Sequence, residues 1–276
     1  MRRSFFRRSN FIFAISKRQK FIITVLVSSL MLFFAENIFG KSGILLAFLL
    51  SISTSLLFLW SEYDDLKGNF SLQVFILLFF YSLSFALFYF LVPARFLTRI
   101  TMTSLYAIGL YSLLLAQNIF VVSSIRTIAL LSSARTVAFS MTILTYFFLS
   151  NVVFSLHFNI FITLFIFFLF SFPLILESLW TYTLENRLLA YSYWEFPLTI
   201  CLVETALVLW FWPVMPTIAA LFMTGLFYIM IGISQVWLER RLFKNVMWEY
   251  VWVGALVLLI FIFFASHIAQ ASVLSV

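Results

Sequence analysis

Runs of about twenty apolar residues, parted by short polar knots, recur from Phe21 almost to the end of this sequence. An α-helix rises about 1.5 Å per residue, so each run is long enough to cross a hydrocarbon core roughly 30 Å thick. The pattern predicts nine helices, at 21–39, 43–61, 72–92, 101–122, 137–157, 160–180, 195–212, 215–236 and 248–268. Three of the breaks are tight. Gly40, Lys41 and Gly43 interrupt one apolar stretch, His157, Phe158 and Asn159 a second, and Pro213 with Pro216 a third. Each reads as a turn between two helices running in opposite directions. The expected fold is therefore an all-α integral membrane protein, a polytopic bundle of nine transmembrane helices. A basic segment over 1–20 precedes a single transmembrane domain over 21–276.

Composition agrees with that pattern. The chain is 64% hydrophobic and 10% charged and carries 38 phenylalanines, whereas roughly a quarter of the residues of a soluble domain are charged. The solvent of most of these side chains is lipid.

Charge then orients the helices. A net charge of +7 would suggest nucleic acid in a soluble protein, but seven of the 17 basic residues here crowd between Arg2 and Lys20. Arg2, Arg3, Arg7 and Arg8 interleave with Phe5, Phe6, Phe11 and Phe13, which suits a segment lying on an anionic leaflet. Cytoplasmic loops collect Lys and Arg. Nine helices with the N-terminus inside and the C-terminus outside put 14 basic residues on the cytoplasmic side and 3 on the other. Fusing 21–61 into one helix would give 9 and 7. The expected location is the cell membrane, with an organellar membrane as the alternative because the acid-free, Arg- and Ser-containing leader also has the composition of a transit peptide. Expected partners are the bilayer, its anionic headgroups at the cytoplasmic face and other membrane proteins, and not nucleic acid. Trp and Tyr cluster near the predicted helix ends, as residues of the lipid–water interface do.

Few residues offer chemistry. Glu204 stands between Pro197 and Trp212, near the centre of the seventh run. A carboxylate at that depth costs about 2.5–3.5 kcal/mol on the insertion scale, so a partner, a proton or a cavity is expected there. Glu204 is accordingly the candidate proton- or substrate-binding group, and Asn151 in the fifth run the candidate that joins it. Ser51, Thr54 and Ser55 form a hydroxyl face on the second run; such groups most often bond helix to helix. Arg126 and Arg135, in the repeated contexts Ser-Ser-Ile-Arg-Thr and Ser-Ser-Ala-Arg-Thr, are candidates for anionic headgroup contact, together with Arg240 and Arg241. Glu36, His157 and His267 are metal-ligand types without a metal motif's spacing. Cys201 is the single cysteine, so no disulfide or CxxC site can form within the chain. No metal or cofactor is expected.

Three functions compete on these grounds. The first is a non-enzymatic accessory or structural component of the membrane, suggested by nearly uniform apolar spans and tiny loops. The second is a proton- or ion-coupled carrier of a small or amphipathic substrate, built on Glu204. The third is an enzyme acting on a lipid-linked substrate at the cytoplasmic face through Arg126, Arg135, Glu185 and Arg187. A polar cavity reaching Glu204 would favour the second, and a dry bundle the first.

Overall fold

In a computed structural model, the described residues are 16–38, 43–66, 71–92, 95–123, 130–184, 192–240 and 243–273. They form α1 (Lys17–Ile38), α2 (Gly43–Leu66), α3 (Gln73–Leu91), α4 (Phe96–Ser123), α5 (Leu131–Ser155), α6 (Ile160–Thr183), α7 (Ser192–Phe211), α8 (Pro216–Leu238) and α9 (Lys244–Val273). All nine are long and apolar enough to cross a membrane. Each predicted run is one helix. The observed ends lie further out at α4 and α5, which begin at Phe96 and Leu131, because backbone hydrogen bonding continues past the apolar stretch into residues such as Arg99 and Arg135.

The helix ends follow local rules. Pro216 occupies the first turn of α8, where its missing N–H costs no helical bond. Left-handed residues follow α5, α6 and α8: His157 at φ 47°, Leu184 at φ 50° and Arg240 at φ 55°. Leu184 donates its N–H to the Trp180 carbonyl at 2.7 Å, closing the last turn of α6. Glycine usually takes such positions, but this chain has only seven glycines.

Cross-helix contacts define an up-and-down arrangement. Lys17 at the start of α1 meets Glu62 near the end of α2 and Asn118 near the end of α4. Arg135 at the start of α5 meets the end of α6, and Trp194 at the start of α7 stacks on Trp237 at the end of α8, with ring centroids 5.3 Å apart. The end of the bundle where α1 begins is called the first end below.

The centre is α3, which packs against α2, α4, α5 and α6 and has 56% of its span buried. Its neighbours interlock through aromatic rings. Tyr81 stacks on Tyr106, Phe88 on Phe148, and Tyr146 on Phe227 at 4.2 Å. At the periphery α9 packs against α8 and buries only 6% of its span. The outer surface is apolar: Leu97 and Phe161 are each 77% exposed, and Ile108 67%. An apolar exterior of this extent is a surface solvated by acyl chains, and the chain has the build of a multi-pass membrane protein.

Candidate functional site

Polar side chains concentrate at the first end, in a layer that crosses the bundle from α1 to α8. It opens with an ion pair. Lys17 Nζ lies 2.7 Å from Glu62 Oε2 and donates to Asn118 Oδ1 at 2.5 Å. The Glu62 side chain is wholly buried while that of Lys17 is 36% exposed, so the lysine brings its charge in from the rim and ties α1 to both α2 and α4. The contact with Glu62 has the reach of an ion pair without the alignment of a good hydrogen bond. Just before α3, Ser71 donates to Gln73 Oε1, and both residues are buried.

The adjacent residue of α4 continues the layer inward. Gln117 is fully buried and its Nε2 donates to Glu177 Oε1 on α6 at 3.3 Å. Thr142 of α5 flanks the same carboxyl while its own hydroxyl donates to the Ala138 carbonyl at 2.9 Å. One residue further along α6, the Ser178 carbonyl accepts from Gln235 Nε2 of α8 at 3.2 Å. In hydrocarbon such interhelical bonds contribute about 0.6–2 kcal/mol each and fix which helix faces which.

Arg135 closes the layer. Its Nε donates to the Thr181 carbonyl and its Nη2 to the Tyr182 carbonyl, both at 3.1 Å. Nη1 lies 3.3 Å from Glu239 Oε1, and the guanidinium sits 4.5 Å from the centre of the Tyr182 ring. A cation on the last carbonyls of a helix satisfies acceptors that have no partner in the helix and opposes the negative end of its dipole. Arg135 is thus the clamp that joins the start of α5 to the end of α6 and to the residue that follows α8.

Glu195 lies at the same end, in the first turn of α7, where an acidic group complements the helix dipole. It is 3% exposed. Next to it, Trp194 Nε1 donates to Ser234 Oγ of α8 at 3.1 Å.

Glu204 is placed quite differently. On α7 the buried positions are Glu195, Thr199, Leu202, Ala206 and Leu209, a 4-3-4-3 spacing that marks the inner face. Glu204 lies two residues beyond Leu202, roughly 200° round the helix, and is exposed on the outside of the bundle with Cys201 and Val208. Asn151 is 6% exposed, inside the bundle and not on the outer face that carries Glu204. Its Nδ2 donates to Thr217 Oγ1 at 3.1 Å, joining the end of α5 to the start of α8. Thr54 of the hydroxyl face lies between Ser28 and Tyr106, 3.4 Å from each hydroxyl, and so ties α2 to α1 and α4. The structure does not bring Glu204 and Asn151 together.

Of the arginines expected at headgroups, Arg135 turns inward and Arg240 is exposed. Arg126 and Arg241 lie outside the described residues, as do Glu185 and Arg187, so the group proposed for an enzymatic site can be followed only at Arg135. The side chains of Glu36 and His267 also lie outside. His157 is exposed, with Nδ1 2.9 Å from the Ser155 carbonyl. Among the described residues, no three His, Cys, Asp or Glu side chains gather where they could hold a metal ion.

Three cavities stand out among the described residues. The largest, about 740 Å³, is a groove over α3 between α2 and α6, walled by Leu56, Leu59, Phe75, Phe79 and Pro173. A second of about 240 Å³ lies between α8 and α9 and is apolar apart from Thr224 and the Tyr228 hydroxyl. A third of about 250 Å³ sits at the far end beside His157, Trp210 and Pro213. None of the three is lined by Glu62, Gln117, Glu177 or Glu204.

Residues 127–264, half of the chain, match a family described as Protein of unknown function (DUF5656). The chain belongs to the DUF5656 family. The matched part runs from the start of α5 into α9 and so includes Arg135, Glu177, Glu195 and Glu204, whereas Lys17, Glu62 and Gln117 precede it. No curated protein and no solved structure matches the chain.

Sequence reasoning missed Glu62, Gln117, Glu177 and Glu195 because they stand near span ends, where polar residues are ordinary. A signal for Glu177 was present nevertheless. Ser171, Ser178 and Thr181 recur at spacings of seven and three on α6 and are all buried, and Glu177 adjoins that stripe.

Proposed function

We propose that this member of the DUF5656 family is a non-enzymatic, multi-pass component of the cell membrane that acts by contact with lipids and with other membrane proteins. What supports this reading is where the polar side chains direct their bonds: Lys17, Gln117, Arg135 and Gln235 each bind a neighbouring helix. Groups used in that way hold helices in register. A carrier or an enzyme needs its polar groups free to meet a substrate in a cavity.

On this reading the first end faces the cytoplasm, with the N-terminus inside and the C-terminus outside. The distribution of basic residues, 14 against 3, supports that orientation. Arg240, exposed at the same end, is then free for anionic headgroups, with Arg126 and Arg241 as further candidates. The apolar groove over α3 suits acyl chains.

The test is flux. Purified protein reconstituted into liposomes carrying a pH gradient should leave proton and solute movement at the level of protein-free vesicles, and Glu204→Gln should change nothing. Flux well above that level, abolished by Glu204→Gln in a protein that still inserts, would establish the carrier built on Glu204 instead.

A further inference from the structure

The outer face of α7 carries a polar group where lipid offers it no partner. Pro197, Ile200, Cys201, Glu204, Val208 and Phe211 are all exposed and recur at helical spacing as one stripe. Glu204 is seven residues from Phe211, hence roughly 10 Å along the axis from that end of the span. The glutamates at the first end, Glu62, Glu177 and Glu195, are 3% exposed or less. Among the described residues, Glu204 is the exposed carboxyl nearest the middle of a span; Glu249, also exposed, stands five residues from the start of α9.

We infer that this stripe is the interface with a second copy of the chain, packed about a twofold axis along the membrane normal so that the two Glu204 side chains meet. A twofold interface sets each residue opposite itself or its near neighbours. A carboxyl group is suited to that arrangement, since a protonated one donates through its hydroxyl and accepts through its carbonyl. Two Glu204 carboxyls therefore satisfy one another without any third group. A cation from the second copy is not on offer at this depth, because the described basic residues Lys17, Arg18, Lys20, Arg95, Arg99, Arg135, Arg240 and Lys244 all stand at or near helix ends. One turn to either side of Glu204, Cys201 and Val208 are compact enough to let the two backbones approach, as interfaces between membrane helices require. The flanking position of α9, against α8, leaves the α7 stripe open.

This inference rests on the reading of the chain as a protein that acts by contact, and it names the partner. Cys201, the one cysteine of the chain, lies on the same stripe and serves as the reporter. Full-length protein in liposomes is oxidised with copper–phenanthroline and resolved without reductant. The expected product is a covalent dimer that forms with the native Cys201 and is lost in Cys201→Ala. Leu256→Cys in the Cys201→Ala background places a thiol on the exposed side of α9 and should give little dimer, since only random collision brings it together. Glu204→Gln, whose amide also donates and accepts, should keep the dimer. Glu204→Leu should weaken it about fivefold or more, the loss expected for an interhelical hydrogen bond in hydrocarbon.

Failure of Cys201 to cross-link overturns the inference, as does cross-linking no faster than in the α9 control. The same experiment in native membranes offers other occupants: if Cys201 cross-links only to a different protein, the second copy is excluded. Either negative result leaves the proposed function standing, whereas solute flux overturns that function whatever the cross-linking shows.

Discussion

Replacing Lys17 by methionine is expected to destabilise the bundle by about 3–5 kcal/mol, the range for removing one partner of a buried ion pair. The value should fall toward the lower end, because Lys17 is itself partly exposed and solvent screens it. The loss falls on Glu62, whose buried carboxylate no longer has the Lys17 ammonium 2.7 Å away, and on the Asn118 carbonyl oxygen, which loses that donor. The double variant Lys17→Met, Glu62→Met should regain most of the loss, since two apolar groups of similar size need no partner. Thermal denaturation in detergent, or unfolding in mixed micelles, measures all three. Additive losses across the cycle would show that the pair does not couple α1 to α2.

The second large effect is steric. Gly109 on α4 lies directly under the Tyr81 side chain of α3, and a Cβ added there would overlap Tyr81 Oη and come within 3.0 Å of Cζ. Tyr81 cannot easily move away. It is fully buried, stacks on Tyr106 and donates to the Tyr106 carbonyl at 3.2 Å. Gly109→Ala should therefore destabilise the protein by about 1–3 kcal/mol, the cost of overfilling a packed core. Tyr81→Phe alone loses one buried hydrogen bond, about 0.5–1.5 kcal/mol, but it removes the atom that the new methyl meets. The double variant should accordingly be less destabilised than the sum of the two, and additive effects in the same denaturation assay would contradict the close approach of α3 to α4.

The elements of this fold were legible in the sequence because apolar runs and their breaks are set by the thickness of the bilayer and by turn chemistry, both local properties. His157 to Asn159 and Pro213 fall between observed helices, and Gly43 and Pro216 begin α2 and α8; Gly40 lies outside the described residues. The rotation of each helix about its axis was not legible. In a soluble protein the polar face of a helix points to water, but here both faces of α7 are mainly apolar, since one meets lipid and the other meets protein. Position along the helix therefore drew attention to Glu204 as a group in need of a partner, a proton or a cavity, and packing turned it outward.

The partners of the buried polar groups were hidden for a related reason. Lys17 and Asn118 are separated by 101 positions, and Gln117 and Glu177 by 60. No motif spacing links them, because the bundle and not the local chain brings them together. Arg135 illustrates the same point from the other side. Its Ser-Ser-Ala-Arg-Thr context suggested a headgroup contact, whereas α6 ends beside it with carbonyls that a guanidinium satisfies at 3.1 Å.

The account depends most on nine helices crossing the bilayer with the polar layer toward the cytoplasm, and side-specific labelling addresses that directly. In a Cys201→Ala background, single cysteines are introduced at Asn159, between α5 and α6, and at Arg240, after α8; both positions are exposed and three helices separate them. Treated with a membrane-impermeant maleimide, Asn159→Cys should react in intact cells and Arg240→Cys only after permeabilisation. Reaction of both from the same side, or the reverse order, would contradict the nine-span arrangement and the orientation derived from it.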